Sequence, residues 1–417
     1  MSLETHIAGS EGRLVDGLHF GGRNTASYIT ERRSCTFHPS SASAFKPSGV
    51  RLMRFNLADH SGWLDGQTLR LVMTLQNLST TVAMTPAVAS PASMFRRVRI
   101  IANGSAVIED VEEYSRAREM FSQLLPSQRR YSDMTESWGG QAGSRTLDDP
   151  ADGDTIPVGE ARQLVIHFMS SFLSQGKMIP LNMMPVTMEL ELADADEAFT
   201  ESNTNWEITR PRLIADVCQL DQALANSYAK HLLDGKSLPM YMHGLYSVKG
   251  AVASGTLFSF PIARGFTRLS SIYVTLWDGA AAGAKWVNRF YSPLNGKYND
   301  LKDDTLEWNV TIGADRYPSF NCESHQESFY RLRLTQLQHM GTDSFSISPQ
   351  QYRTTKFIIG QSLEKAPGVA SHTGVNTRSG SQMTLNFKNL GSASMIHVIL
   401  HYEQVVNVSA AGVEVLD

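Results

Sequence analysis

The stretch RYPSFNCESHQESFYRLRL (316–334) sets Cys322, Glu323 and His325 within four positions of one another. A thiol near an imidazole and a carboxylate is the material of a cysteine nucleophile or a metal site. The nucleophile needs the imidazole to face the thiol and a third group to orient it, and neighbouring positions across a strand-to-helix turn do not ensure that geometry. The same residues also read as the start of a helix, with Ser324 as N-cap, Glu327 as its reciprocal partner and His325 as the first helical residue. Cys322 then ends a strand as a small buried hydrophobe, the commonest role of a free cysteine. The sequence favours this structural reading.

Other stretches invite the same question. Gly235-Lys236-Ser237 resembles the end of a phosphate-binding loop, but Lys230 stands where its upstream glycine belongs. Leu238-Pro239 then leads into a strand instead of a helix N-terminus, so a linker turn is expected. DDPADGD (148–154) gathers four carboxylates around Gly153, yet Pro150 breaks the calcium-loop spacing and a solvated loop tip is expected. APGVASHTGVN (366–376) places Pro367, His372 and Asn376 at spacings near the second cupin motif. No H-x-H occurs anywhere, however, and one histidine does not supply the three protein ligands a catalytic metal usually needs. G-x-S-x-G, H-E-x-x-H, G-x-G-x-x-G and Walker sequences are absent. His167, His397 and His401 lie inside strand-like runs, where hydrogen-bonded structural histidines are expected. The expectation is therefore no catalytic residue, no cofactor and no metal ligand.

The composition is that of a folded, turn-rich chain: 417 residues, 42% hydrophobic, 19% charged, 31 Gly and 16 Pro. That length exceeds what one core usually organises, so two domains are expected. A net charge of −4, with no run of five basic residues, gives no whole-chain attraction to nucleic acid. Cys35, Cys218 and Cys322 are odd in number and far apart, which argues against a disulfide framework and fits a reducing compartment. The first thirty residues lack the pattern of a secretory signal, and no apolar run reaches a membrane span of roughly 18 residues. The sequons at Asn77, Asn103, Asn309 and Asn407 are accordingly read as chance.

Alternation and β-branched or aromatic enrichment predict eight strands in the first half: 34–39, 50–58, 68–76, 95–103, 106–110, 162–169, 186–194 and 206–217. Eight more follow in comparable order, at 240–248, 256–263, 268–277, 306–314, 319–321, 355–361, 382–390 and 394–408. Helical periodicity is strong at 111–124 and 325–337, each straight after the fifth strand of its half, and in a connector at 220–236. Each of the two opens on a capping signal, Asp110 with Glu113 and Ser324 with Glu327. Tyr114-Ser-Arg116-Ala-Arg118 matches Phe329-Tyr-Arg331-Leu-Arg333 at an offset of 215, whereas the caps differ by 214, so the register is open by one residue. TLRLVMTL and RLSSIYVTL echo one another with Thr74-Leu75 against Thr275-Leu276. The chain reads as an internal duplication of an all-β unit.

Two consecutive eight-stranded units of this order resemble the double jelly-roll major capsid proteins of double-stranded DNA viruses, the adenovirus hexon and tailless-phage lineage. The resemblance is carried by SCTFHPSSASAFKPSGVRLMRFNL, WLDGQTLRLVMTLQNL and SMFRRVRIIANGSAVIEDVEEYSRAREMF, then by FTRLSSIYVTLW and SMIHVILHYEQVVNV, over roughly residues 30 to 410. It implies two antiparallel jelly rolls, each with one short helix in a long connection. The boundaries expected are an N-terminal arm at 1–30, a first roll at 31–218, a linker and helix at 219–238, a second roll at 239–410 and a tail at 411–417.

By resemblance the chain is a structural capsid subunit and no enzyme, forming a homotrimeric, pseudo-hexagonal capsomer that tiles an icosahedral shell around DNA. Its partners would be itself, neighbouring capsomers and minor capsid or penton proteins, with genome or internal membrane at the inner face. Its place would be the virion after synthesis in the host cytoplasm. The long connections 77–93, 124–157 and 278–304 would form outward towers and interlock neighbours. They carry Arg129, Arg130, Tyr131, Trp138, Trp286, Phe290 and Tyr291, residue types enriched in interface cores and taken as the candidate capsomer interface, although each ring also suits packing under its own loop. Readings from other classes are a two-domain cupin metal enzyme and a carbohydrate-binding β-sandwich module.

Overall fold

The computed structural model describes residues 28–59, 62–84, 91–126, 156–195, 197–199, 205–253, 256–277, 290–293, 306–340, 347–365, 373–378 and 382–417. Alternation predicts its strands well. In β7 the sequence VTMELEL buries Val186, Met188, Leu190 and Leu192 and leaves the residues between them half-buried, as a strand with one face on a core must.

The first unit contains β1 (Ile29–Phe37), β2 (Leu52–Asn56), β3 (Trp63–Asn77), β4 (Phe95–Ala102), β5 (Ala106–Glu112), helix α1 (Tyr114–Gln123), β6 (Ala161–His167), β7 (Val186–Leu192) and β8 (Trp206–Leu220). Helix α2 (Gln222–Leu233) connects it to the second unit. That unit contains β9 (Leu238–Ala251), β10 (Leu257–Ile262), β11 (Leu269–Trp277), β12 (Glu307–Ile312), β13 (Asp315–Cys322), α3 (His325–Met340), α4 (Pro349–Thr354), β14 (Ile358–Ser362), β15 (Met383–Lys388) and β16 (Met395–Ser409).

The pairing repeats. Sheet orders β1-β8-β3-β6 and β2-β7-β4-β5 in the first unit recur as β9-β16-β11-β14 and β10-β15-β12-β13 in the second. Each strand of one unit thus has its counterpart eight strands later. Within each unit every ladder is antiparallel, the topology of a jelly roll. Each core lies between its two sheets, with Phe37, Phe55, Phe95 and Trp206 buried in roll one and Tyr273, Trp308 and Tyr352 in roll two.

The rolls share a sheet. Strand β5 lies parallel beside β9, joined at Asp110 and Tyr246, so that half of each roll forms one continuous layer.

Three local expectations need correction. Asp110 does not cap α1: it remains in β5, where Arg97 grips its carboxylate with two hydrogen bonds of 2.6 Å. The helix begins three residues later from Glu113, which has φ +51 and makes no side-chain cap bond. The residues after 410, expected as a tail, form β17 (Gly412–Leu416), a hairpin partner of β16. A helical turn at Ser171–Ser174 and α4 were not predicted.

Candidate functional site

The cluster of the opening stretch is assembled as a helix start. Ser324 Oγ accepts the Glu327 backbone N–H at 3.1 Å, and the Glu327 carboxylate lies 2.8 Å from Arg331 one turn on. Cys322 is fully buried at the end of β13, its Sγ 3.3 Å from Ser328 Oγ, and burial pushes its thiol up to about 11. Burial, reinforced by Arg353, lowers His325. A thiol that stays protonated supplies no thiolate with which to attack or ligate.

Other sequence candidates also take structural places. Gly235 sits at φ +76 just past α2 and its N–H bonds the Leu232 carbonyl, so the Gly-Lys-Ser stretch is a helix-ending turn. Asn77 is fully buried and its amide donates to the carbonyls of Val82, Ile156 and Pro157, stitching β3 to the chain entering β6. DDPADGD and His372 lie outside the described residues. Among the described residues, no group of three or more His, Cys, Asp or Glu side chains converges as a metal site. All three cysteines are free and buried.

Of the candidate interface residues, Arg129, Arg130, Tyr131, Trp138 and Trp286 lie outside the described residues. Phe290 is buried in its own chain. Tyr291 is fastened at both ends: its N–H donates to Leu276 at 2.8 Å, and its hydroxyl oxygen receives the Ser392 N–H at 3.0 Å.

A polar constellation that sequence reading missed lies at the seam between the rolls. Glu113 and Arg116 come from the β5–α1 corner, Ser247 and Lys249 from β9, His397 from β16 and Trp277 from β11. Glu113 pairs with Lys249 and lies 3.4 Å from Arg116, whose guanidinium sits 4.0 Å over the Trp277 ring. Burial would raise the Glu113 carboxyl, but the Lys249 bond and the charge of Arg116 hold it below the usual range. Ser247 donates to the Glu112 carbonyl, so the Nε2 of His397, 3.2 Å from Ser247 Oγ, carries the proton. Burial lowers His397 to about 3.

Glu109 works on the roll-one side. It receives the Ser170 hydroxyl and the Phe172 N–H at 3.0 Å, holding the unpredicted Ser171–Ser174 turn. Burial raises its carboxyl despite those bonds. Gln404 Nε2 donates to Ile108 at 3.0 Å and Gln336 Nε2 to Leu124 at 3.0 Å, each a bond from one roll to the other. Paired charges and amide bonds across the boundary fix one mutual arrangement of two bodies. The arrangement is a weld.

The sequence matches no protein-family model and no curated protein. Solved structures do match its fold. The PBCV-1 virus capsid superposes with a TM-score of 0.63 over 94% of this chain and 97% of that one, at 9% identity. The Faustovirus major capsid protein gives 0.60 over 94% and 92%, at 9% identity. The Sputnik virophage structure gives 0.56 over 96% and 92%, at 10% identity. The chain has the double jelly-roll fold of viral major capsid proteins. In this double jelly roll the welded seam sets the angle at which the second roll follows the first.

Proposed function

We propose that the chain is a structural major capsid subunit: three copies form a pseudo-hexagonal capsomer of six rolls, and capsomers tile an icosahedral shell in the virion around a DNA genome. The observation that carries this reading is the double jelly roll itself, alike from end to end to the PBCV-1 capsid and the Faustovirus major capsid protein despite 9% identity. The role requires rigidity and self-association, and no catalysis. The seam supplies the first by burying its charges in pairs.

In this reading the partners are other copies of the chain, adjoining capsomers, and minor or penton proteins, with genome or membrane at the inner face. Arg129, Arg130, Tyr131, Trp138 and Trp286 in the long connections supply contacts between neighbours. Phe290 and Tyr291 fasten the base of their connection against the roll. Electron microscopy of the concentrated protein is the test: hexagonal outlines and curved or closed lattices are expected, and uniform isolated single chains would overturn the proposal.

A further inference from the structure

The charged pairs of the seam lie toward one end of β9. Met240 stands nine residues before Lys249, about 30 Å away along the strand, and its surroundings are apolar. There the two rolls and the helix that links them frame a cavity of about 410 Å³ that opens to solvent. Roll one supplies Trp63 of β3 and Leu220 of β8, roll two supplies Met240 of β9 and Val408 of β16, and the linker supplies Leu224 and Tyr228 of α2. Helix α2 rests on this cavity. Leu224, Tyr228 and Leu232 fall at i, i+4 and i+8 on one stripe, yet Leu232 is the only buried residue of the helix. An amphipathic helix usually sets such a stripe on the side chains of a core, whereas here two of the three residues face the cavity. The Tyr228 ring meets Trp63 at 5.0 Å between centroids.

Among the described residues that line the cavity, Lys177 alone is charged. Its ammonium donates to the Pro239 carbonyl at 2.7 Å and lies 5.8 Å from the centre of the exposed Tyr241 ring, contacts that hold it at the rim. An ammonium has three donors and the carbonyl takes one, so the group can still receive an anion. The interior offers water few hydrogen-bond partners, and its volume falls in the range of small-molecule sites, at the end that suits one chain.

We infer that this cavity binds a single-chain anionic amphiphile, a free fatty acid, with its tail between the rolls and its carboxylate at Lys177. The tail touches both rolls and α2 at once, and so ties them together at the end of β9 opposite the Glu113–Lys249 pair. The site stands on its own walls and does not depend on the capsid reading.

The test titrates the full chain with dodecanoate by calorimetry, below the concentration at which the probe forms micelles. One saturable site per chain is expected, with affinity rising about fourfold for each methylene from octanoate to dodecanoate. Dodecyltrimethylammonium, which has the same tail and the opposite charge, should bind about tenfold more weakly, for want of a partner to Lys177. Lys177→Met changes an exposed residue and should keep its circular dichroism spectrum while losing the preference for the carboxylate. Dodecanoate brominated at the far end of its tail should quench part of the wild-type tryptophan fluorescence and markedly less of that of Trp63→Phe. Bound dodecanoate should also raise the urea midpoint of wild type, since it binds the folded chain alone. Lack of saturable binding, equal affinity for the two head groups, a preference unchanged in Lys177→Met, or quenching unchanged in Trp63→Phe overturns the inference.

Discussion

His397 is a neutral histidine because protonation at Nδ1 would place a buried cation beside Arg116 and Lys249. Its pKa falls from 6.5 to about 3 on folding, so between those values the unfolded chain holds the extra proton. Its contribution to stability therefore declines as pH drops from about 6.5 toward 3, and the lowered Glu113 acts in the same sense below 4.5, whereas Glu109, raised by burial, acts in the opposite sense above 4.5. Urea midpoints measured at pH 7 and pH 5 should differ in wild type, and His397→Gln, which keeps an N–H donor for Ser247, should shrink the difference. An equal slope in both proteins would contradict the account. Cys322 gives a second residue-scale expectation: the native protein should not react with a thiol reagent at pH 8, and the denatured protein should titrate all three cysteines. The cap at Ser324 and the buried role of Cys322 were legible because they depend on neighbours in sequence. His397 was legible as a strand histidine, but its partners Glu113 and Lys249 lie more than a hundred residues from it, beyond any spacing rule.

At the scale of elements, close approach is what holds α3 to its roll. A Cβ on Gly360 would lie 2.8 Å from Leu332 Cδ1 and 3.1 Å from its Cα, so the helix backbone itself would have to retreat. Gly360→Val should destabilise by about 1–3 kcal/mol, read from the denaturation midpoint. No change there would show that α3 does not pack as described. Strands were readable because most bury at least one face, and all sixteen predicted runs overlap strands of the two rolls. Asp110 misled because the same carboxylate that suits an N-cap suits a cross-strand arginine better, and Arg97, diagonal to it across the ladder, takes both its oxygens. Helix α4 carried a readable signal that went unused, the capping box of Ser348 and Gln351 with Pro349 at the first position. The Ser171–Ser174 turn had only Ser170 to announce it, and its anchor is the distant Glu109.

For the whole molecule, the seam predicts that the two rolls unfold together. Calorimetry should show one cooperative transition, and Arg116→Ala should lower stability by about 3 kcal/mol, since it leaves Trp277 uncovered and weakens the pairing of a buried carboxylate. Two separated transitions would mean that the shared sheet and its polar bonds do not couple the rolls. The duplication was legible in the echo of Thr74-Leu75 and Thr275-Leu276 and in the repeated helix. The parallel junction of β5 and β9 was not, because no periodicity marks which edges two folded bodies will share. Association is the central claim, and the native mass in solution tests it most directly. Light scattering on the purified protein should give a stable species near three times 46.1 kDa; a species that remains at the mass of one chain across the micromolar range would contradict it.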